Sequence, residues 1–386
     1  MAVCLGRMLM VQQQSGRMLG RECSAWLSLQ RCRSTDVAAK SGGEQCRRFE
    51  VGVLGAGRIG RLHLQNVLSH RGLKLRWVVE DSQEAVQQAT RQLMLHDTPF
   101  HPTADLPELL KDHSLDGVLV LTPTDTHSSL VKQSLENGKN SFCRKTHSRN
   151  PREIQQCYDL AQQNDLPLCT GFQRRFDPAM RDLYDSVVLH KAVGNVRNIK
   201  TVSRDSPRPS YTFLKACDPT GCNILSDMAV HDVDMIVWLT QGQEPEFIYV
   251  ITHSHDAELA EAGVADSITV LLKYKSGVIA AIDSCRETTY GYDIRVEVFG
   301  SDGMVTVENP RETTSVKDSV AGGSVRRLYH SFPERFEKAF QLQLQHFVNC
   351  MAGSEKPIVT MNQAVLTASI IEKGLQSFGK KAPVYF

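Results

Sequence analysis

The hexapeptide Gly55-Ala56-Gly57-Arg58-Ile59-Gly60 follows an apolar run, Phe49 to Leu54, and opens a stretch with helical spacing, Arg58 to Ser69. Few sequence features restrict a fold so strongly. A strand, a glycine turn and a helix in that order form half of a β-α-β unit, and the glycines carry separate duties. Gly55 permits the tight turn, Gly57 lets a pyrophosphate approach the backbone, and Gly60 lets the helix pack on the strand. The helix N-terminus adds free N–H donors and a positive dipole end. An acid at the end of the following apolar run, Asp81, stands 21 residues beyond Gly60. That context makes the loop a dinucleotide site rather than an ordinary glycine turn. Asp81 is placed to accept hydrogen bonds from ribose hydroxyls. Its neighbour Glu80 would repel a 2′-phosphate, and no Arg or Lys occurs at 82–89, so NAD is expected over NADP. Alternation alone leaves open which of Glu80 and Asp81 faces the ribose.

The pattern around the loop repeats. Leu73 to Val79, Gly117 to Leu121 and Asn140 to Cys143 read as short strands. Glu84 to Met94, Thr126 to Asn137 and Pro151 to Gln163 read as helices. Strands alternating with helices give an α/β domain with a parallel sheet covered on both faces. From about residue 171 the texture changes. Val196 to Arg204, Phe247 to Thr252, Ser267 to Tyr274, Val278 to Ser284 and Arg295 to Gly300 are strand-like with short connections, which predicts a mostly antiparallel sheet. Helices are expected at Leu225 to Leu239, Glu334 to Met351 and Asn362 to Ser377. The expected division is a leader and linker at 1–47, a dinucleotide-binding domain at 48–170 and a substrate-binding and oligomerisation domain at 171–386.

Composition narrows the class. The 386 residues exceed one ordinary domain, and 44 Lys and Arg against 43 Asp and Glu leave a net charge of +1. That balance removes most of the electrostatic case for nucleic-acid or anionic-membrane binding. No apolar run reaches the length of a membrane-spanning helix. The first 34 residues hold five arginines, no lysine and one acid, so the remainder is mildly acidic. An Arg-rich, acid-poor leader interrupted by Arg7 suits a mitochondrial transit peptide better than a secretory signal, with a cytoplasmic chain as the other possibility. The eleven cysteines are scattered without a Cys-x-x-Cys pair, as free thiols in a reducing compartment are. Cys217, Cys222, Asp227 and His231 match no compact zinc motif, so no metal is expected there.

The stretch Ile224 to Leu239 places Asp227, His231 and Asp234 four and seven residues apart, along one stripe of a helix. Acid, imidazole and acid on an otherwise apolar helix are costly unless used or paired. Oxidising a secondary alcohol needs a base for the hydroxyl proton, and a histidine oriented by a carboxylate suits that task.

These residues resemble the glucose–fructose oxidoreductase/inositol dehydrogenase family, and its inositol 2-dehydrogenase branch in particular. The resemblance runs from Phe49 to Phe386. It rests on Gly55–Gly60, Thr122-Pro-Thr-Asp-Thr-His127, Phe142-Cys-Arg-Lys145, Gly171-Phe-Gln-Arg-Arg-Phe-Asp-Pro178, Asp227-Met-Ala-Val-His-Asp-Val-Asp234 and Tyr290 to Gly300. It implies an N-terminal Rossmann domain, a C-terminal α/β domain on an open sheet, and oxidation of a polyol, cyclitol or sugar with NAD or NADP. It implies Lys145, Asp227 and His231 as catalytic residues, Arg174, Asp234 and Tyr290 as substrate contacts, and Thr122 and His127 beside the cofactor. It further implies a homodimer or homotetramer built on the open sheet face. One departure is notable: the family's Glu-Lys-Pro reads Arg144-Lys145-Thr146 here. The lysine is kept and both neighbours differ. A weakly catalytic or non-catalytic NAD-binding protein on the same scaffold is therefore the alternative. A milder departure is Gly221-Cys222, where the family often has paired glycines.

Overall fold

The computed structural model describes residues 48–145, 147–216 and 222–386. The leader and linker at 1–47, Thr146 and Cys217–Gly221 therefore lie outside the described residues. Six strands, β1 (Phe49–Leu54), β2 (Leu73–Val79), β3 (Phe100–His101), β4 (Gly117–Val120), β5 (Asn140–Arg144) and β6 (Leu168–Gly171), form one sheet. Its order is β3-β2-β1-β4-β5-β6 and every pairing is parallel. The four residues of β4 are all buried, the unbroken apolar run that a sheet covered on both faces demands. Helices Arg58–Ser69, Gln83–Leu93, His127–Glu136 and Pro151–Gln163 connect the strands. Their starts are written locally. Ser82 accepts a hydrogen bond from the Ala85 N–H, and Asn150 caps a helix whose first residue is Pro151. Because β1 lies between β2 and β4, successive strands depart to opposite sides at its carboxyl end. That is where ligands bind in open α/β sheets, and the glycine loop sits there.

The second sheet contains β7 (Val196–Arg204), β8 (Pro245–His253), β9 (Ser267–Tyr274), β10 (Ile279–Cys285), β11 (Asp293–Gly300), β12 (Met304–Val307) and, after an exposed hairpin of β13 (Val316–Ser319) and β14 (Gly322–Val325), β15 (Val384–Tyr385). The order is β12-β11-β7-β10-β9-β8-β15. All its pairings are antiparallel except β7 with β10. Burial alternates along it. Ile268, Val270, Leu272 and Tyr274 face inward, while Thr269 and Leu271 face out. Helices Val230–Leu239 and Met361–Lys380 pack on the inward face. Each aliphatic side chain fully buried there contributes about 1.5–3 kcal/mol. The outward face stays open, with Ile251, Leu271, Ile279 and Phe299 exposed.

Two findings depart from expectation. Strands β3, β6 and β15 are too short for alternation to reveal, and the hairpin is too polar. The helix Glu337–Met351 also joins the first sheet, since Leu344, Phe347 and Cys350 share a core with Val51, Val53 and Phe142. Gly117 in β4 lies close beneath Phe347 and Met351.

Candidate active site

The glycine loop shows its cradle directly. Gly55 has φ of +95°, which only glycine holds without strain, and lies against the Leu121 and Thr122 backbone at the end of β4. A Cβ on Gly60 would stand 2.2 Å from the Gly55 carbonyl oxygen, while a Cβ on Gly57 would meet nothing within 4 Å. Gly57 is the N-cap residue of the helix and makes no side-chain cap bond, so the first-turn N–H groups are free for an anion. Open space at Gly57, close packing at Gly60 and an uncapped helix end fit a bound pyrophosphate. Ala56 and Ile59 are buried. Arg58 turns to Ser331, donating to its hydroxyl at 3.0 Å, and stacks over Phe332 at 4.5 Å.

The acid on the loop is Glu80, not Asp81. Glu80 accepts the Ala56 N–H at 2.7 Å and the Ser82 N–H at 2.9 Å. Asp81 lies two residues past the end of β2 and accepts from the Thr103 N–H (2.8 Å) and hydroxyl (2.6 Å). Those bonds, the hydroxyl's first, hold its carboxyl below the usual range. Thr122 lies beside Gly55 as expected. His127 instead points inward, 1% exposed, with Nε2 2.7 Å from the Thr122 carbonyl oxygen. Its ring braces the turn that carries Thr122, because a polar ring so buried needs a partner.

Lys145, Asp227 and His231 come together across the two sheets. Lys145 directly follows β5, 5% exposed, with φ of +53°. A non-glycine residue held there is strained, and such strain gathers at functional sites. Its Nζ donates to the Asp227 carboxylate and to the Asp227 carbonyl oxygen, the latter at 2.9 Å. Burial lowers the lysine's pKa; Asp227 opposes this and Arg144 adds to it. Burial works against ionisation of Asp227, but Lys145 and Arg286 overrule it and hold the carboxyl below the usual range. His231 is half-buried, its ring edge-on to Phe172 at 6.1 Å, and its Nδ1 has no protein partner. Burial pushes its pKa well down, followed by the charges of Lys145, Arg174 and Arg144. The ring is therefore neutral at neutral pH. Asp227 and His231 keep some accessible surface while Lys145 is closed in. A substrate can thus reach the imidazole and a carboxylate beside a buried cation.

Sequence reasoning missed Arg286, which follows β10 and is 2% exposed. Its guanidinium donates to Asp227 and Asp205, each at 3.2 Å, and to the Asn223 side-chain oxygen at 3.1 Å. An arginine after a strand carries no signal of its own. Only the fold shows that it and Lys145 share Asp227.

The substrate contacts implied by resemblance are dispersed. Residues 224–229 form a π-helical turn that passes into the α-helix Val230–Leu239. The wider turn breaks the stripe expected of a regular helix. Asp227 consequently faces Lys145, while Asp234, fully buried, accepts from Arg175 at 2.6 Å. That pairing leaves Asp234 committed to the core, not to a substrate. Arg174 is buried on Asp232 (2.8 Å) and Ser203 (2.9 Å), near enough to act on His231 by charge. Tyr290 belongs to the open sheet face, where its hydroxyl donates to Asp293 at 2.7 Å and accepts from Arg204 at 3.0 Å. It lines a cleft of about 600 Å³ on that face, whose lining does not include Lys145, Asp227 or His231.

Residues 49–172 match the oxidoreductase family with NAD-binding Rossmann fold, and residues 184–306 match the GFO/IDH/MocA C-terminal domain. The chain belongs to the GFO/IDH/MocA oxidoreductase family. Its N-terminal sheet is the family's NAD-binding Rossmann unit, and NAD is its cofactor. Among relatives, myo-inositol 2-dehydrogenase of Thermotoga maritima is 31% identical over 313 residues, 81% of this chain and 91% of that protein. The scyllo-inositol 2-dehydrogenase (NAD(+)) of Bacillus subtilis is 29% identical, covering 86% and 94%. The crystal structure of myo-inositol 2-dehydrogenase from Lactobacillus plantarum superposes with a TM-score of 0.78 at 26% identity, covering 88% and 100%.

Proposed function

We propose that this GFO/IDH/MocA protein is an NAD-dependent dehydrogenase that oxidises a secondary hydroxyl of a cyclitol, related polyol or sugar. One observation carries the reading: the strained Lys145 grips Asp227 beside a histidine held neutral. The backbone of Gly55–Gly60 would hold NAD, with Glu80, Asp81 and Thr122 on the side of its ribose, and the cofactor would supply the acceptor for the hydride. Neutral His231 takes the hydroxyl proton. The Lys145 ammonium steadies the negative charge that grows on the substrate oxygen. Asp227 accepts hydrogen bonds from a neighbouring hydroxyl. Its shared cations keep it ionised, so a hydroxyl-poor ligand would leave a charged acceptor unpaired. Paired acids at Glu80 and Asp81 favour NAD over NADP, and tighter NADP binding in a titration of both would refute that preference.

The named relatives are inositol 2-dehydrogenases, and this supports a panel of inositols and aldoses as the first assay. His231→Ala and Lys145→Ala should each lower kcat/KM about 10²–10⁴-fold. Unchanged turnover in either removes the mechanism. The second reading, NAD binding without turnover, draws on Arg144, whose charge adds to the lowering of Lys145 and His231. It predicts saturable NAD binding with an inert panel.

Two further proposals concern assembly and address. The open sheet face, with Ile251, Leu271, Ile279 and Phe299 exposed, is proposed to join copies of the chain. Light scattering of Leu271→Lys should then show a smaller particle than wild type. Residues 1–47 are proposed to direct the chain to mitochondria, and a fluorescent protein carrying them should be imported.

A further inference from the structure

A second group of reactive side chains lies between β6 and the helix Glu337–Met351. Cys169 is in the middle of β6, and His346 and Cys350 stand one turn apart on one face of the helix. One ligand atom from each lies within 4.8 Å of the other two. Both cysteines are buried, at 4% and 3% exposure.

His346 is arranged as a ligand. Its Nδ1 lies 2.6 Å from the Glu355 carboxylate, and the Ile358 N–H donates to Nε2 at 3.1 Å. An N–H can only be received by a lone pair, so the proton is on Nδ1 and Nε2 offers its lone pair. Cys350 Sγ lies 3.6 Å from that nitrogen. A tetrahedron with metal–sulfur bonds of about 2.3 Å and metal–nitrogen bonds of about 2.0 Å has an S···N edge of about 3.6 Å. A carboxylate on the remote ring nitrogen is the usual outer support of a metal-bound imidazole. Gln343, one turn earlier, adds an independent sign. It is 2% exposed, and neither its amide oxygen nor its nitrogen has a partner among the described residues. It faces the same cleft as Cys169 and His346, which is too narrow for a water molecule. Solvent therefore cannot reach it, whereas a bare cation can take the lone pair of the amide oxygen.

We propose that Cys169, His346 and Cys350 bind a zinc-class divalent cation, with the Gln343 amide oxygen as fourth donor and Glu355 orienting the imidazole. Two soft sulfurs and an imidazole select such an ion over magnesium or calcium. Binding replaces the Ile358 N–H on Nε2 and releases thiol protons to solvent. A Cys169–Cys350 disulfide would leave the Gln343 amide oxygen unpaired. The cation would join β6 to the helix. Strand β6 pairs with β5 at Thr170 with Cys143 and Gly171 with Arg144, next to Lys145. The site would thus brace the frame of the active lysine without touching it.

The full chain, purified under reducing conditions with zinc in the medium, should carry about one zinc per chain by elemental analysis. After chelation, one equivalent of Co²⁺ should give thiolate-to-cobalt charge-transfer absorption with the intense d–d bands of a tetrahedral site. Cys169→Ser and Cys350→Ser should each lose that absorption, and Glu355→Gln should weaken binding about 10–100-fold. Wild-type protein that takes up neither metal stoichiometrically overturns the proposal. So does a Cys169–Cys350 peptide pair linked by a disulfide in protein alkylated at lysis, or cobalt absorption unchanged in both serine variants. The wild-type measurements decide even where a variant misfolds.

Discussion

Asp227 touches two cations, and their balance sets the chemistry of the site. Arg286 holds Asp227 and Asp205 together. Arg286→Met leaves two acids facing Lys145 alone. Removing one partner of a buried ion pair costs about 3–5 kcal/mol, and the partial exposure of both acids puts the expected loss near the lower figure. Denaturant titration should show it, together with lower turnover and an NAD Kd within about twofold of wild type. Arg144 acts on His231 through charge, after burial, Lys145 and Arg174. In the proposed mechanism the histidine must be neutral to accept a proton. Activity is therefore present above its lowered pKa and lost as pH falls through it. Arg144→Gln removes one lowering charge, so the acid limb of kcat/KM should move to higher pH. A limb that stays in place would remove Arg144 from the site's electrostatics. The convergence of Lys145, Asp227 and His231 was legible because the three stood in ordered motifs. Arg286 was not, because its meaning comes entirely from what it meets.

Two elements show how far spacing alone can be read. The glycine loop was read correctly as strand, turn and helix, since each glycine's duty is local. Its two later glycines should separate in experiment. Gly57→Ala adds a Cβ in open space at φ of −64°, so stability should change by less than about 1 kcal/mol while NAD binding weakens. Gly60→Ala drives a Cβ against the Gly55 carbonyl, so the melting temperature should fall even without NAD. Similar thermal behaviour in the two variants would contradict this division of roles. The Asp227–His231–Asp234 stripe was misread because it presumed an unbroken α-helix. The π turn before Val230 depends on packing against the second sheet, which short-range pattern does not contain.

At the scale of the molecule, buried neutral histidines tie stability to pH. His63 and His147 are each lowered to about 3, chiefly by burial and then by Arg144 and His127 respectively. His63 is wedged between Phe142 and Phe340 at 5.3 and 5.5 Å. Unfolded histidine titrates near 6.5. Below that value the unfolded chain binds more protons, so stability is full above about pH 6.5 and falls as pH drops toward 3. His63→Leu should flatten the fall by about 1.4 kcal/mol per pH unit between pH 6 and 4, read from denaturant midpoints. An unchanged slope would show that the ring is not buried neutral in solution.

The sequence alone determined the parallel and mostly antiparallel sheets and the glycine cradle, and it singled out Lys145, Asp227 and His231, which the fold brings together. Each depends on period, turn chemistry or a motif that neighbouring residues carry. Tertiary structure decided which acid meets the glycine loop, that Asp234 belongs to Arg175, and that Arg286 completes the Lys145 cluster. It also carried Cys169 to His346 and Cys350 across more than 170 residues of chain. Side-chain pairing at that separation is set by how sheets and helices stack, and one-dimensional spacing holds no record of stacking.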